Sequence, residues 1–207
     1  MADDGGDILM KMVPANGGKL TGESQADLGS GDMLLTGFLS GQFFEVQDFD
    51  FGISLRDREV WRSGSKKPPK TGPGGPFAAW RSVPKAQLAD VRYPLDVDPV
   101  SFKRLLDSGS PTLFDCCSNR RSFSSAAVVK RKSIGQKKVP QAFLRMDFTE
   151  VLLVGLEWDT SDMVHEACKF IYRGVKIQYR PELNPGVLGP PMQVRWDHTM
   201  ALAADED

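Results

Sequence analysis

The sequence has few cysteines and histidines, no long apolar run and no recognisable catalytic signature. Three cysteines among 207 residues, two adjacent (Cys116, Cys117) and one distant (Cys168), do not make a disulfide framework. No run approaches the roughly 18 apolar residues of a membrane span, so no membrane insertion is expected. The first residues, MADDGGD, lack the basic region and apolar stretch of a signal peptide, so export is expected to use another route. No G-x-S-x-G, paired-carboxylate or dinucleotide fingerprint is present, which argues against an enzyme and against a cofactor. GGKLTGES has a Gly-Lys pair, but no Ser or Thr follows the lysine and no amphipathic helix follows the loop. It is therefore a poor phosphate cradle. His165 and Cys168 are three apart, which on a strand places them on opposite faces. The cysteines read more simply as small buried hydrophobes than as metal ligands.

Period-two alternation dominates what is there. In FDFGISL, Phe49, Phe51, Ile53 and Leu55 share a side; in IYRGVKIQYRP, Ile171, Val175, Ile177 and Tyr179 do. FLRMDFTEVLLVGLEW alternates through Leu144, Met146 and Phe148, then Leu152, Val154, Leu156 and Trp158. Glu150 interrupts that side and predicts a bulge. DILMKMV, MLLTGFL, VRYPLDV, RSFSSAAVVKRK and MQVRWDH complete a set of strands that predicts a sandwich or barrel. Two short helices are predicted beside them. One starts at Asp98–Pro99 with Phe102, Leu105 and Leu106 as its stripe. The other starts at Ser110–Pro111 with Leu113, Phe114 and Cys117.

The formal net charge is only −1, but it is segregated. Residues 56–85 carry eight basic residues against Asp57 and Glu59, within a Pro/Gly-rich stretch that reads as an insertion at about 56–90 of a single domain spanning 1–207. Residues 119–138 hold Arg120, Arg121, Lys130, Arg131, Lys132, Lys137 and Lys138 with no acid, whereas both chain ends are acidic. Such segregation suits contacts between copies of one chain, and equally suits solvated loops. A binding module whose basic loops hold nucleic acid or an acidic partner is the alternative, weakened because Phe123 is the one aromatic in the second stretch. The glycine-rich stretch from Gly17 to Asp32 reads as a spacer or as an arm whose glycines give it reach.

Several of these segments, in order, resemble the haemolysin-coregulated protein family, the tube subunits of type VI secretion. LTGESQ is similar to the family's IKGES loop, and FEVQDFDFGIS to its IEVLSWSWGVS strand. SPTLFDCCSN resembles its SPKLLLACATG helix, with Asn119 in place of the terminal glycine. FLRMDFTEVLLVGLEW resembles YLKITLEDVLVSSVS, and FIYRGVKIQYRP with GPPMQVRWDHT resembles the closing FEKIEIEYKP and GWDLKKN. The resemblance covers residues 8–55 and 91–200; a longer first loop (27–41), the basic insertion and an added helix (98–108) depart from it. It implies a mainly β fold, a compact barrel of two packed antiparallel sheets with one or two flanking helices, and a non-enzymatic structural role. It also implies homohexameric rings that stack into a tube, with a contractile sheath, a spike at the tip and effectors in the lumen as partners. Such a subunit is cytoplasmic before firing and secreted without a signal peptide. On this resemblance Leu20, Thr21, Gly22, Glu23, Ser24 and Gln25 are expected to make ring-stacking contacts. Arg120, Arg121, Lys130, Arg131 and Lys132 are expected at subunit contacts or on the lumen surface.

Overall fold

In the computed structural model, the described residues are 7–29, 31–55, 95–134, 139–160, 164–184 and 186–197. The chain divides into two units, one of residues 1–51 with 99–207 and one of residues 52–98. The smaller unit contributes an antiparallel pair, β4 (Ile53–Leu55) with β5 (Leu95–Val97). The basic insertion at 56–90 lies outside the described residues.

Among the described residues the larger unit is mainly β with one α-helix. Its strands are β1 (Ile8–Pro14), β2 (Phe44–Val46), β3 (Asp48–Asp50), β6 (Val100–Leu105), β7 (Phe123–Lys132), β8 (Gln141–Asp159), β9 (His165–Ile171), β10 (Gly174–Tyr179), β11 (Glu182–Asn184), β12 (Val187–Leu188) and β13 (Met192–Asp197). Antiparallel pairing runs in the order β2-β1-β7-β8-β9-β6-β3, with β10 on β8 and β13 on β10. A small β11–β12 hairpin stands apart. The expected closed barrel is not seen: no ladder joins the end strands β2 and β3. They are instead consecutive in the chain, separated by Gln47, whose N–H donates to Lys103 O at 2.8 Å.

The 19-residue β8 carries the turn of the surface that the sequence signals at Glu150. There a non-glycine residue holds φ +49°, in the left-handed region. Even-numbered Phe148 is buried on the inner face before it, and odd-numbered Val151 and Leu153 are buried after it. One left-handed residue therefore exchanges the faces, so Leu152 and Val154 do not continue the inner side as the alternation suggests. The first half of β8 pairs with β7 and β10 and the second half with β9.

Three expectations are corrected. Residues 98–106 form no helix but the strand β6, in which Val100, Phe102 and Arg104 alternate inward against Phe170, Cys168 and Glu166. The three-plus-one spacing of Phe102, Leu105 and Leu106 is incidental, because a β-paired segment buries every second residue. MLLTGFL is not a strand; Met33–Leu35 form a 3-10 turn capped by Asp32, which accepts from Leu34 N at 3.1 Å. The helix α1 (Ser110–Ser118) begins at the expected place with Pro111 in its first turn, but it buries Leu113 and Cys116 and leaves Phe114 exposed. It ends in a left-handed Arg120 (φ 53°), with Arg120 N donating to Cys117 O and Arg121 N to Cys116 O at 2.8 Å. That double closure is commonly built on glycine.

Candidate assembly surfaces

The long segment between β1 and β2 is not a free arm. Leu34, Leu35, Phe38 and Phe43 pack with Leu9, Val129 and Ala142 on the side of the sheet opposite Met10 and Val128, forming a second small core. Cations on the sheet hold its carbonyls. Lys11 Nζ donates to Gly37 O at 2.6 Å, Arg145 Nη1 to Leu34 O and Thr36 O at 2.8 Å each, and Arg131 Nη1 to Asp27 O. Asp32 also accepts from Ala142 N at 3.0 Å.

Within this strap the residues expected at ring contacts alternate. Leu20 and Gly22 are buried, Ser24 is half-buried, and Thr21, Glu23 and Gln25 are exposed. Gly22 N donates to Gly41 O at 3.2 Å, Glu23 Oε1 accepts from Ser108 N at 3.0 Å, and Ser24 Oγ donates to Glu45 at 2.6 Å. Gly22 is glycine because of close approach rather than reach. A Cβ there would lie 2.0 Å from the backbone oxygen of Phe43, and one on Gly109 would lie 2.5 Å from Thr21 O. Gly22→Ala is therefore expected to cost about 1–3 kcal/mol, an overpacking cost. It should also release residues 20–43 to protease, read by urea unfolding and limited proteolysis. Unchanged stability with an intact strap would contradict this packing.

The five basic candidates separate. Arg131 is not a surface cation: its side chain is buried, bonds both carboxylate oxygens of Asp7, and occupies its remaining reach on Asp27 O. Lys132 pairs with Glu182 at 2.7 Å, which holds the Glu182 carboxyl below its usual range, and lies over the Phe143 ring. Arg121 pairs with Asp115 at 2.7 Å, while Arg120 and Lys130 are exposed. Burial pushes the Cys116 and Cys168 thiols up, so both stay protonated at neutral pH. Among the described residues no His, Cys, Asp and Glu cluster of three or more is arranged for a metal.

Two features escape the sequence reading. The first is a buried polar network at the start of α1. Arg104 Nε donates to Glu166 Oε2 at 2.7 Å, Arg104 Nη2 to Ser110 Oγ at 2.7 Å, and Ser110 Oγ to Glu166 Oε2 at 3.1 Å. Glu166 Oε1 accepts from the Trp158 indole N–H at 2.8 Å, which fixes an exposed ring that packs on Phe114. The signal available was the inward parity of Arg104 and Glu166 on facing strands.

The second feature is the outer end of the sheet. Rows across β1, β7, β8, β10 and β13 read Ile8–Lys130–Leu144–Tyr179–Met192, then Met10–Val128–Met146–Ile177–Val194, then Met12–Ala126–Phe148–Val175–Trp196. The third row is buried from Met12 to Val175, but the first two run past the core at β13, where Met192 and Val194 are 60% and 61% exposed. Among the described residues β13 pairs only with β10, so an apolar face and an unpaired strand edge coincide.

Together the described residues define a mainly β, antiparallel protein with one flanking helix, a docked loop and an uncovered apolar sheet edge. Among solved structures it is similar to Hcp1 from Salmonella typhimurium (18% identity, 95% of this chain and 97% of that one, TM-score 0.59). It is also similar to a type six secretion system protein (18%, 94% and 96%, TM-score 0.62) and to the secreted protein Hcp3 from Pseudomonas aeruginosa (12%, 92% and 98%, TM-score 0.55). No curated protein matches by sequence. The family described as "Type VI secretion system effector, Hcp" matches residues 86–179. Over those residues the chain is similar to the Hcp family, a family of the type VI secretion system.

Proposed function

We propose that this chain is a structural, non-enzymatic tube subunit of a type VI secretion machine, whose copies close into six-membered rings that stack. The observation that carries this reading is the coincidence of an apolar face with an unpaired edge at β13. Tyr179, Met192 and Val194 lie side by side in two cross-strand rows and are too exposed to serve the monomer's own core. A head-to-tail contact that buries such a face closes into a ring when the rotation closes. The likeness to the Hcp family supports the ring as the kind of closure to expect.

Stacking of rings falls on the outward residues Thr21, Glu23 and Gln25 of the docked strap, held in place by buried Leu20 and Gly22. Arg120 and Lys130 are the exposed cations left for contacts between subunits or a lumen surface. In this reading a contractile sheath drives the tube, a spike caps it, effectors ride in the lumen, and the subunit is secreted. No helix among the described residues is long and apolar enough to cross a membrane. Sedimentation velocity of the purified chain is expected to show a species of six chains. A monomer at high micromolar concentration would contradict the proposal.

A further inference from the structure

We propose that the larger unit holds a binding site for medium-chain aliphatic carboxylates at the open end of its inner core. Between the first two rows of the sheet and the facing chain of β3 lies a cavity of about 240 Å³. Its apolar wall is Ile8, Phe49, Phe51, Val128, Leu144 and Met146, all half-buried except the buried Val128. Phe51 is braced from behind by Phe148 and Tyr172, at ring-centroid distances of 5.9 and 6.3 Å.

Two charged residues line the cavity, Asp50 and Lys130. Asp50 alternates with Phe49 along β3, and Phe49 stands opposite the buried Phe102, so the Asp50 side chain belongs to the other side of that strand. Lys130 stands in the same row as Ile8 and Leu144, on the cavity side of the sheet. It is exposed and makes no ion pair among the described residues, unlike Arg131 and Lys132 beside it. An apolar pocket with one unpaired ammonium at its rim fits a ligand that is apolar along its length and anionic at one end. The volume exceeds the roughly 150 Å³ that accommodates benzene, which points to a chain of about eight carbons.

Isothermal titration calorimetry of the full chain with hexanoate, octanoate, decanoate and 1-octanol tests it. Saturable one-to-one binding of octanoate is expected, with affinity rising about four-fold per methylene from six to eight carbons. Lys130→Gln is expected to weaken octanoate about ten-fold and leave 1-octanol unchanged. Leu144→Phe, which fills the cavity, is expected to abolish both. Because Lys130 is exposed, its variant remains informative even if Leu144→Phe misfolds. Octanoate binding that Lys130→Gln leaves intact overturns the carboxylate assignment, and absence of saturable binding overturns the site. Octanoate that breaks up assemblies without binding saturably marks the cavity as the seat of a neighbouring copy's side chain, and also overturns the proposal.

Discussion

Glu166→Ala is expected to destabilise the fold by about 3–5 kcal/mol, because it strands a buried guanidinium. Arg104 and Glu166 are both fully buried on adjacent strands and share a 2.7 Å ion pair. Deleting the carboxylate removes the partner of Arg104 Nε and an acceptor of Ser110 Oγ, and leaves the Trp158 indole N–H unpaired. Asp107, 2.9 Å from Arg104 Nη2, remains as a second anion, but Arg104 Nη1 is buried and already makes no hydrogen bond. The guanidinium stacks 4.3 Å from the Phe44 ring centroid and the residue is fully buried. Replacing both residues together, Arg104→Met with Glu166→Leu, is expected to cost much less than the single change, since an apolar pair strands no charge. Urea unfolding of the three variants measures this. A loss below about 1 kcal/mol for Glu166→Ala would show that the pair is not held in a dry site.

The second half of β8 shows where sequence alternation stops being sufficient. Leu144, Met146 and Phe148 do share the face that their spacing gives them, because a paired strand keeps its parity. Glu150 signals an irregularity, but not that its left-handed backbone would hand the inner face to Val151 and Leu153. Similarly, Ser110–Pro111 marks the start of α1, yet the helix start is held by Glu166, 56 residues away in the chain, and the buried face is set by such tertiary contacts. The strap fails for a related reason. A segment rich in glycine and polar residues reads as mobile until Lys11, Arg131 and Arg145 are seen donating to its carbonyls, and those donors come from three different strands. Among the site candidates, Gly22 was visible as part of GES, but its close approach to Phe43 is a tertiary fact. The apolar edge was visible only as MQVRWDH; nothing local says that Met192 and Val194 outrun the core.

Those two residues carry the other large effect. Met192→Asp with Val194→Asp is expected to weaken self-association about a thousand-fold or more, since two carboxylates would have to lose water in the contact. The monomer should be little affected. Both side chains are exposed, and exposed substitutions away from special features usually change stability by no more than about 0.5 kcal/mol. The two effects separate cleanly, because sedimentation reads association and thermal unfolding reads the fold. A variant that sediments like the parent would remove β13 from the interface. A variant that loses its fold would show that the strand serves the monomer instead.

Negative-stain electron microscopy of the purified full chain tests the assembly most directly. Six-fold rings, some stacked into short tubes, are the expected image. Isolated particles of single-chain size at concentrations where the apolar edge should be covered would contradict it.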